Sequence, residues 1–153
     1  LGSASDAVVS GLLDLLSDPD SYPRARAAEA LGNLGSASDA VVSGLLDLLS
    51  DPDSYPRALA AAALVKLGSA SDAVVSGLLD LLSDPDSYPR ALAAAALVKL
   101  GSASDAVVSG LLDLLSDPAS STRARAAEAL GNLGSASDAV VSGLLDLLSD
   151  PDS

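Results

Sequence analysis

The stretch LLDLLSDPDSYPRARAAEALGNLG, residues 12–35, contains the end of one helical pattern, a turn and a second helical pattern. Counted at 100° per residue, the Val and Leu side chains up to the turn share one arc and the Asp and Ser side chains share the opposite one. This spacing predicts an amphipathic helix over residues 6–17. Asp-Pro breaks that helix, Pro23 suits the opening turn of a second helix over residues 23–34, and Gly35 is a natural helix C-terminus.

The same unit recurs along the whole sequence. The block LGSASDAVVSGLLDLLSDP occurs five times without change, at a constant spacing of 33 residues. Such repetition is typical of a stacked array in which each unit buries its apolar face on the next one. We therefore predict a single repeat domain over residues 1–153, with nine helices. Its repeats are 1–33, 34–66, 67–99 and 100–132, followed by a partial repeat, 133–153.

Each first helix contains two further signals. Ser3 or Ser5 can cap its first turn, and Asp6 suits the positive end of its dipole. Gly11 lies inside the helix in every copy, where it costs about 1 kcal/mol relative to Ala. We expect a neighbouring backbone to approach closely at this glycine.

The segment that carries a family resemblance is again residues 12–35, with its apolar helix, Asp-Pro-Asp turn, Arg, Ala-rich helix and Leu-Gly ending. The ankyrin signature Thr-Pro-Leu-His and the tetratricopeptide aromatic pattern are absent. The segment resembles the short bacterial HEAT-like repeat of the phycobilisome-lyase type, although Pro23 replaces the usual Val and GSASDAVVSG is about two residues longer. The resemblance implies an all-α, right-handed α-solenoid whose second helices line a concave, protein-binding side.

The resemblance also assigns a role to one arginine in each repeat. Asp18 and Arg24, with their counterparts, match the positions from which the family builds an Asp/Arg ladder between repeats. We interpret Arg24, Arg57, Arg90 and Arg123 as this ladder. The alternative is an anion-binding stripe, which would require fewer acidic residues beside it.

The second helices differ between copies on one face only. With Arg24 at 0°, the unvarying Ala27, Leu31 and Leu34 fall near 280–340° and mark the buried side, whereas positions 26, 29 and 33 fall at about 200°, 140° and 180°. We predict that these positions form an exposed, protein-binding face. The twelve residues are Arg26, Glu29, Asn33, Leu59, Ala62, Lys66, Leu92, Ala95, Lys99, Arg125, Glu128 and Asn132.

This face is apolar in its middle repeats and polar in its outer ones, like an interface core with its rim. Leu59 and Leu92 either contact each other across adjacent repeats or form part of an interface. In a two-fold homodimer, four leucines would contribute roughly 6–12 kcal/mol against an association cost of about 4–15 kcal/mol, which predicts a weak dimer. The expected partner is a protein or peptide, or a second copy of the chain.

Charge narrows the partners further. The sequence has 21 acidic and 8 basic residues, a net charge of −13. The predicted face holds four cations and two anions, a local +2, and the remaining residues carry −15. We therefore expect no nucleic acid and no anionic membrane as partner, because both require a strong basic patch. An acidic protein segment fits the face better.

Residues suited to catalysis or to cofactor binding are scarce. The sequence has no Cys and no His, so the usual zinc, haem and copper ligand sets are excluded, and Ser has no activating base. Asp18 and Asp20 could form an acid/base pair, but they recur in the same turn of several repeats and are interpreted as turn formers and helix caps. Calcium is not expected, because DPDSYP lacks the later Gly and Glu of a calcium loop. We predict no enzyme activity, no cofactor and no metal.

Other features bear on origin and location. No apolar run approaches the roughly 20 residues of a membrane span, and we expect no signal peptide, so a natural protein would be cytoplasmic. Identical repeats indicate recent duplication or a consensus or designed array. Neither end has a polar cap, which favours end-to-end association. The predicted function is a scaffold for protein–protein interaction or self-assembly; the alternatives are a designed structural protein without ligand and a phycobilin-lyase-like module.

Overall fold

The computed structural model describes residues 2–101, 104–133, 145, 146 and 148, with side chains from residue 5 onward. Its eight helices are α1 (Gly2–Leu15), α2 (Ser21–Leu34), α3 (Asp39–Leu48), α4 (Ser54–Lys66), α5 (Asp72–Leu81), α6 (Ser87–Lys99), α7 (Asp105–Leu114) and α8 (Ser120–Asn132). Odd-numbered helices are the predicted first helices of the repeats and even-numbered helices the second. The predicted ninth helix lies outside the described residues, apart from residues 145, 146 and 148.

The helices form two compact units. Unit 1 extends to Gly77 and unit 2 begins at Leu78, so that α5 contains the boundary. None of the helices in the described ranges combines the length and the apolar character that crossing a membrane requires.

Three of the first helices, α3, α5 and α7, are capped by the counterparts of Ser5, whereas Ser3 and Ser5 themselves lie inside α1. The Ser38 Oγ atom accepts a hydrogen bond from the Val41 N–H at 3.3 Å, and Ser71 and Ser104 make the same bond in the next two repeats. These helices end two residues earlier than predicted, because the chain tightens into a turn in which the Asp51 N–H donates to the Leu48 carbonyl. In the first copy, α1 begins at Gly2, before the predicted start.

The second helices begin at a Ser, two residues before the predicted start. In α2 this Ser precedes Tyr-Pro, so that Pro23 lies within the first turn. At the other end of α2, Gly35 has φ = 73° and its N–H bonds the Gly32 carbonyl. This left-handed conformation favours glycine and ends the helix. Both ends therefore follow from the turn chemistry.

The core of each unit consists of Leu and Val from the first helices and Leu and Ala from the second. Leu31 and Leu64 are fully buried in unit 1, as are Leu97 and Leu130 in unit 2. Full burial of each Leu contributes about 1.5–3 kcal/mol. Gly32 brings two second helices especially close, because a Cβ atom there would lie 2.9 Å from the Ala63 Cα atom.

The glycines of the first helices contact leucine, which corrects the expectation of a neighbouring backbone. A Cβ atom on Gly44 would lie 2.9 Å from Leu16 Cδ1, and one on Gly77 would lie 2.7 Å from Leu49 Cδ1. Gly110 has the same relation to Leu82 in unit 2. We call this contact, between a first-helix glycine and a leucine of the preceding repeat, the glycine–leucine contact.

Gly11→Ala and Gly77→Ala are expected to differ although their local sequences are identical. At Gly11 a Cβ atom would have no heavy atom of the described residues within 4 Å, so that alanine should raise the free energy of unfolding by about 1 kcal/mol through helix propensity. At Gly77 the gain should be smaller, because Leu49 must move. Urea denaturation of both variants measures the difference, and equal gains would contradict the packing role of Gly77.

The Asp/Arg ladder is confirmed in unit 1. Arg24 Nε donates to Asp51 Oδ2 at 2.7 Å and its Nη2 to Asp51 Oδ1 at 3.0 Å. A further bond from Arg24 Nη1 reaches the Asp18 carbonyl at 2.8 Å. The hydrogen bond to Asp51 raises the pKa of Arg24 above its usual value. Arg24 thus joins its own turn to the turn of the next repeat.

Unit 2 contains the equivalent pair. Arg90 Nη2 donates to Asp117 Oδ1 at 2.9 Å, its Nε lies 2.8 Å from Asp117 Oδ2, and its Nη1 donates to the Asp84 carbonyl at 2.8 Å. Arg57 and Arg123 also donate to a carbonyl of their own turn, those of Asp51 and Asp117, each at 2.7 Å. These bonds support a structural role for the ladder arginines instead of an anion-binding one.

Candidate functional site

We call the twelve predicted residues of the second helices the second-helix face. In unit 1 it lies on α2 and α4. Arg26 and Asn33 are exposed and Glu29 is half-buried. Arg26 Nη1 lies 2.9 Å from Glu29 Oε1, one helical turn away, and Lys66 Nζ donates to Asn33 Oδ1 at 2.6 Å. The polar side chains of this unit therefore pair with one another along and between the two helices.

The pairing affects the charge state of the face. The negative charge of Glu29 raises the pKa of Arg26 above its usual value, and Tyr22 makes the next largest contribution. The guanidinium is accordingly charged at neutral pH. A partner that binds unit 1 must compete with Glu29 for this cation.

Leu59 does not behave as the sequence predicted. Its side chain is buried, with 9% exposure, whereas Ala62 is half-buried and Lys66 is exposed. A helical wheel arranges residues around the axis of a single helix and contains no information on the neighbouring residues that cover them. The prediction that Leu59 is exposed was therefore wrong. Because Leu59 has little surface left to bury, it cannot supply the leucine-driven homodimer.

Tyr22 and Tyr55 adjoin the second-helix face of unit 1 and were not predicted. Their rings stack with centroids 6.5 Å apart and planes 9° apart, and Arg26 lies 5.7 Å from the Tyr22 centroid. Both rings are exposed. The signal was available, because Tyr22 precedes Arg26 by four residues and falls at about 160° on the same wheel. The aromatic pair extends the face toward the helix N-termini.

In unit 2 the second-helix face forms a groove of about 210 Å³ between α6 and α8. Six of the twelve predicted residues line it, together with Val98 and Ala129; they are Leu92, Ala95, Lys99, Arg125, Glu128 and Asn132. Unlike Leu59, Leu92 is only half-buried. The structure therefore brings together apolar and charged side chains of both helices in one concave surface.

Two charged side chains of the groove, Arg125 and Glu128, form a loose and exposed ion pair. Arg125 Nη1 lies 3.6 Å from Glu128 Oε1, a longer separation than in the equivalent pair of unit 1, and both side chains are more than half exposed. Such exposed pairs contribute about 0–1 kcal/mol and exchange partners readily. Arg125 is therefore available to a carboxylate of a ligand.

The Asp-rich turns do not form a cation site in the described part of the chain, where no group of three potential ligands is suitably placed to hold a metal ion. Asp18 Oδ1 and Asp51 Oδ1 each accept the N–H two residues ahead at 2.9 Å, so they are turn formers as interpreted. Asp20 and Asp53 occupy the N-cap position without making a side-chain cap bond. Their interpretation as helix caps was therefore wrong; Asp53 Oδ2 instead lies 3.2 Å from Arg24 Nη2.

Comparison with known protein families identifies the type of repeat. The family described as HEAT repeats matches residues 9–97 and 75–153. The chain belongs to the HEAT-repeat family. This HEAT-repeat protein is an all-α solenoid of two-helix repeats, as predicted. No curated protein sequence matches it significantly.

Three solved structures are similar to the HEAT-repeat chain. A crystal structure of an engineered protein from the Northeast Structural Genomics Consortium is 31% identical, with 91% of this chain and 67% of that chain covered and a TM-score of 0.66. A chain of the complex of CpcE and CpcF of phycocyanin lyase from Nostoc sp. PCC7120 is 25% identical, with 80% and 63% covered and a TM-score of 0.58. A designed armadillo repeat protein in complex with the peptide (KR)4 is 23% identical, with 94% and 71% covered and a TM-score of 0.66.

Proposed function

We propose that this HEAT-repeat protein is a non-catalytic scaffold that binds acidic, partly apolar segments of other proteins through its second-helix face. The observation that carries the proposal is the groove between α6 and α8, where Leu92 and Val98 adjoin Lys99 and Arg125. An apolar surface beside charged groups is the usual composition of a protein interface and its rim.

The distribution of basic residues supports an acidic partner. All eight basic residues are either ladder arginines or members of the second-helix face. The ladder arginines bond their own turns, and Arg24 and Arg90 also pair with aspartates. In a chain of net charge −13, the second-helix face is thus the surface where an acidic segment meets least repulsion.

The size of the groove favours a peptide segment over a pigment. Pockets for small molecules and cofactors usually measure about 300–1,000 Å³ and enclose most of the ligand. The groove is smaller, about 210 Å³, and holds room for a few side chains. This argues against the phycobilin-lyase-like alternative.

The identical repeats support a consensus or designed origin. Five copies of a 19-residue block are unchanged, and two of the similar solved structures are an engineered protein and a designed repeat protein. A designed array without any ligand is the second candidate, and it predicts a second-helix face that binds nothing.

The proposal is tested by fluorescence anisotropy with three short labelled peptides: alternating Leu and Glu, alternating Leu and Lys, and alternating Ala and Glu. We expect the Leu-Glu peptide to bind most tightly, because it alone offers both apolar side chains to Leu92 and Val98 and carboxylates to Lys99 and Arg125. Leu92→Glu should weaken binding about tenfold or more by removing apolar surface and adding repulsion.

Two charge variants separate specific binding from general attraction. Glu128→Lys and Asp113→Lys raise the net charge equally, but Glu128 lines the groove and Asp113 is exposed on the first helix α7. Glu128→Lys should tighten binding of the Leu-Glu peptide severalfold and Asp113→Lys should leave it nearly unchanged. Equal effects of the two variants, or no binding of any peptide, would overturn the proposal.

A further inference from the structure

The second helices α2 and α8 have the same sequence from their ladder arginine onward but differ in their first turn. Both continue as RARAAEALGNL, whereas SYP opens α2 and SST opens α8. Ser121 therefore stands where the first repeat has Tyr22. Each of them precedes an arginine of the second-helix face by four residues, Arg26 in α2 and Arg125 in α8. Residues four apart lie on one face of a helix, so the exchange changes the surroundings of this arginine.

In α2 an aromatic ring holds Arg26 in place. The guanidinium carbon of Arg26 lies 5.7 Å from the centroid of the Tyr22 ring, and its Nη1 lies 2.9 Å from Glu29 Oε1. Tyr22 is itself stacked on Tyr55 of the next repeat, with the centroids 6.5 Å apart. A cation over an aromatic face is attracted by the negative charge of that face. Arg26 thus has two partners inside its own helix before any ligand binds.

In α8 the corresponding arginine has no such ring. Ser121 is exposed, and no aromatic side chain of the described residues lies over Arg125. The partner that remains in the helix is Glu128, whose Oε1 is 3.6 Å from Arg125 Nη1. Both side chains are more than half exposed, so the pair is weak. Since the two helices are identical from the ladder arginine onward, the residue at position 121 is what distinguishes the two arginines within their own helices.

The other residues of the second-helix face differ between the units in the same direction. In unit 1, Lys66 Nζ donates to Asn33 Oδ1 at 2.6 Å, whereas Lys99 makes no hydrogen bond or ion pair with a described residue. Leu59 is buried, whereas Leu92 is half-buried and lines the groove. Unit 1 therefore pairs its basic side chains internally, and unit 2 leaves them accessible to a ligand.

We propose that Ser121 determines where an acidic segment binds. It leaves Arg125 available to a carboxylate of the partner in the groove between α6 and α8, whereas Tyr22 retains Arg26 in unit 1. Ser121 is thus a specificity-determining residue that acts through Arg125. The partner residue is a glutamate or an aspartate, because the planar guanidinium of arginine binds a carboxylate through two parallel hydrogen bonds. The role of Ser121 rests on the proposed function and narrows it to one site per chain.

The test is a double-mutant cycle, measured by fluorescence anisotropy with the labelled Leu-Glu peptide. Ser121→Tyr should weaken binding about twofold to fivefold, which is the strength of an exposed contact between a cation and a ring. In an Arg125→Ala background the same substitution should have no effect, because the arginine that the ring would hold is absent. Ser109→Tyr adds a ring to the exposed side of α7 and is the control, which should bind like the parent.

NMR spectroscopy of the free chain measures the arginines directly. Aromatic ring currents shift protons above the ring upfield, so the side-chain protons of Arg26 should be shifted in the parent and should lose this shift in Tyr22→Ser. The protons of Arg125 should gain it in Ser121→Tyr. Unshifted Arg125 protons in that variant would contradict the role of Ser121.

The outcomes of the binding experiment separate the two proposals. If the parent binds no peptide, the proposed function and the role of Ser121 are both refuted. If the parent binds and Ser121→Tyr binds equally well, only the role of Ser121 is refuted. The same holds if Ser121→Tyr weakens binding as much without Arg125, because the ring would then act by obstruction. At saturation the parent should bind one peptide per chain, and two peptides per chain would also overturn the role of Ser121.

Discussion

Arg90→Ala is expected to lower the free energy of unfolding by roughly 3–5 kcal/mol, which is the usual cost of leaving a buried charge without its partner. The substitution leaves the carboxylate of Asp117 without this partner. The Asp117 side chain is 6% exposed, and its two oxygen atoms lie 2.8 and 2.9 Å from two nitrogen atoms of Arg90. The substitution also removes the bond from Arg90 to the Asp84 carbonyl. Urea denaturation followed by circular dichroism gives the magnitude.

Arg125→Ala is the matched control for this prediction. It removes an arginine from the next second helix in the same unit, but its partner Glu128 is 65% exposed and the two atoms are 3.6 Å apart. Exposed pairs contribute about 0–1 kcal/mol, so this variant should unfold nearly like the parent. Equal destabilisation by the two substitutions would show that the ladder pair has no special contribution to stability.

Gly32→Val is expected to destabilise the chain by about 1–3 kcal/mol, as overpacking of a tight interior does. The added Cβ atom alone would lie 2.9 Å from Ala63 Cα and 3.0 Å from Ala63 Cβ. The clash involves backbone, which cannot rotate away, so α2 and α4 must separate. The prediction runs against the sequence pattern, because the two middle repeats carry Val at this position, as Val65 and Val98.

The same substitution at Gly131 provides the comparison. Gly131 occupies the equivalent place in an identical EALGNL segment, but it is exposed and a Cβ atom there would meet no heavy atom of the described residues within 4 Å. Gly131→Val should be neutral or stabilising by a few tenths of a kcal/mol, because valine is a somewhat better helix former than glycine. Thermal denaturation of the two variants distinguishes packing from propensity, and similar midpoints would refute the close approach of α2 and α4.

The fold was predictable because its determinants are local or periodic. The 33-residue spacing, the Asp-Pro turn and the left-handed Gly35 depend on short stretches of sequence and on their repetition. The ladder was predictable from family resemblance. Contacts between helices were harder to predict from the sequence. The partner of Gly44 is a leucine side chain, and helix propensity contains no information about which atoms fill the space beside a glycine.

The candidate site was predicted in part. The wheel placed Leu92 and Arg125 on one face, and the structure brings them together in a groove. It failed at Leu59, whose burial depends on surrounding structure, and it omitted Tyr22, although that residue lies on the same arc. The fourth repeat has Thr122 in place of the Pro of the other repeats, a change that the sequence alone does not explain. Thr122 is fully buried, and its Oγ1 lies 3.5 Å from the Ser87 carbonyl, a contact to the preceding repeat that proline cannot make.

Asp51 bonds both to groups of its own repeat and to Arg24 of the preceding repeat, and this links the folding of two repeats. One carboxylate oxygen of Asp51 accepts a hydrogen bond from the Asp53 N–H and closes the turn. The same carboxylate accepts hydrogen bonds from Arg24, and the Asp51 carbonyl accepts one from Arg57. A turn that opens therefore releases the arginine of the repeat before it. In a nearest-neighbour description of array folding, this shared aspartate is a coupling term, so that fraying of one repeat lowers the protection of the adjacent one against hydrogen exchange.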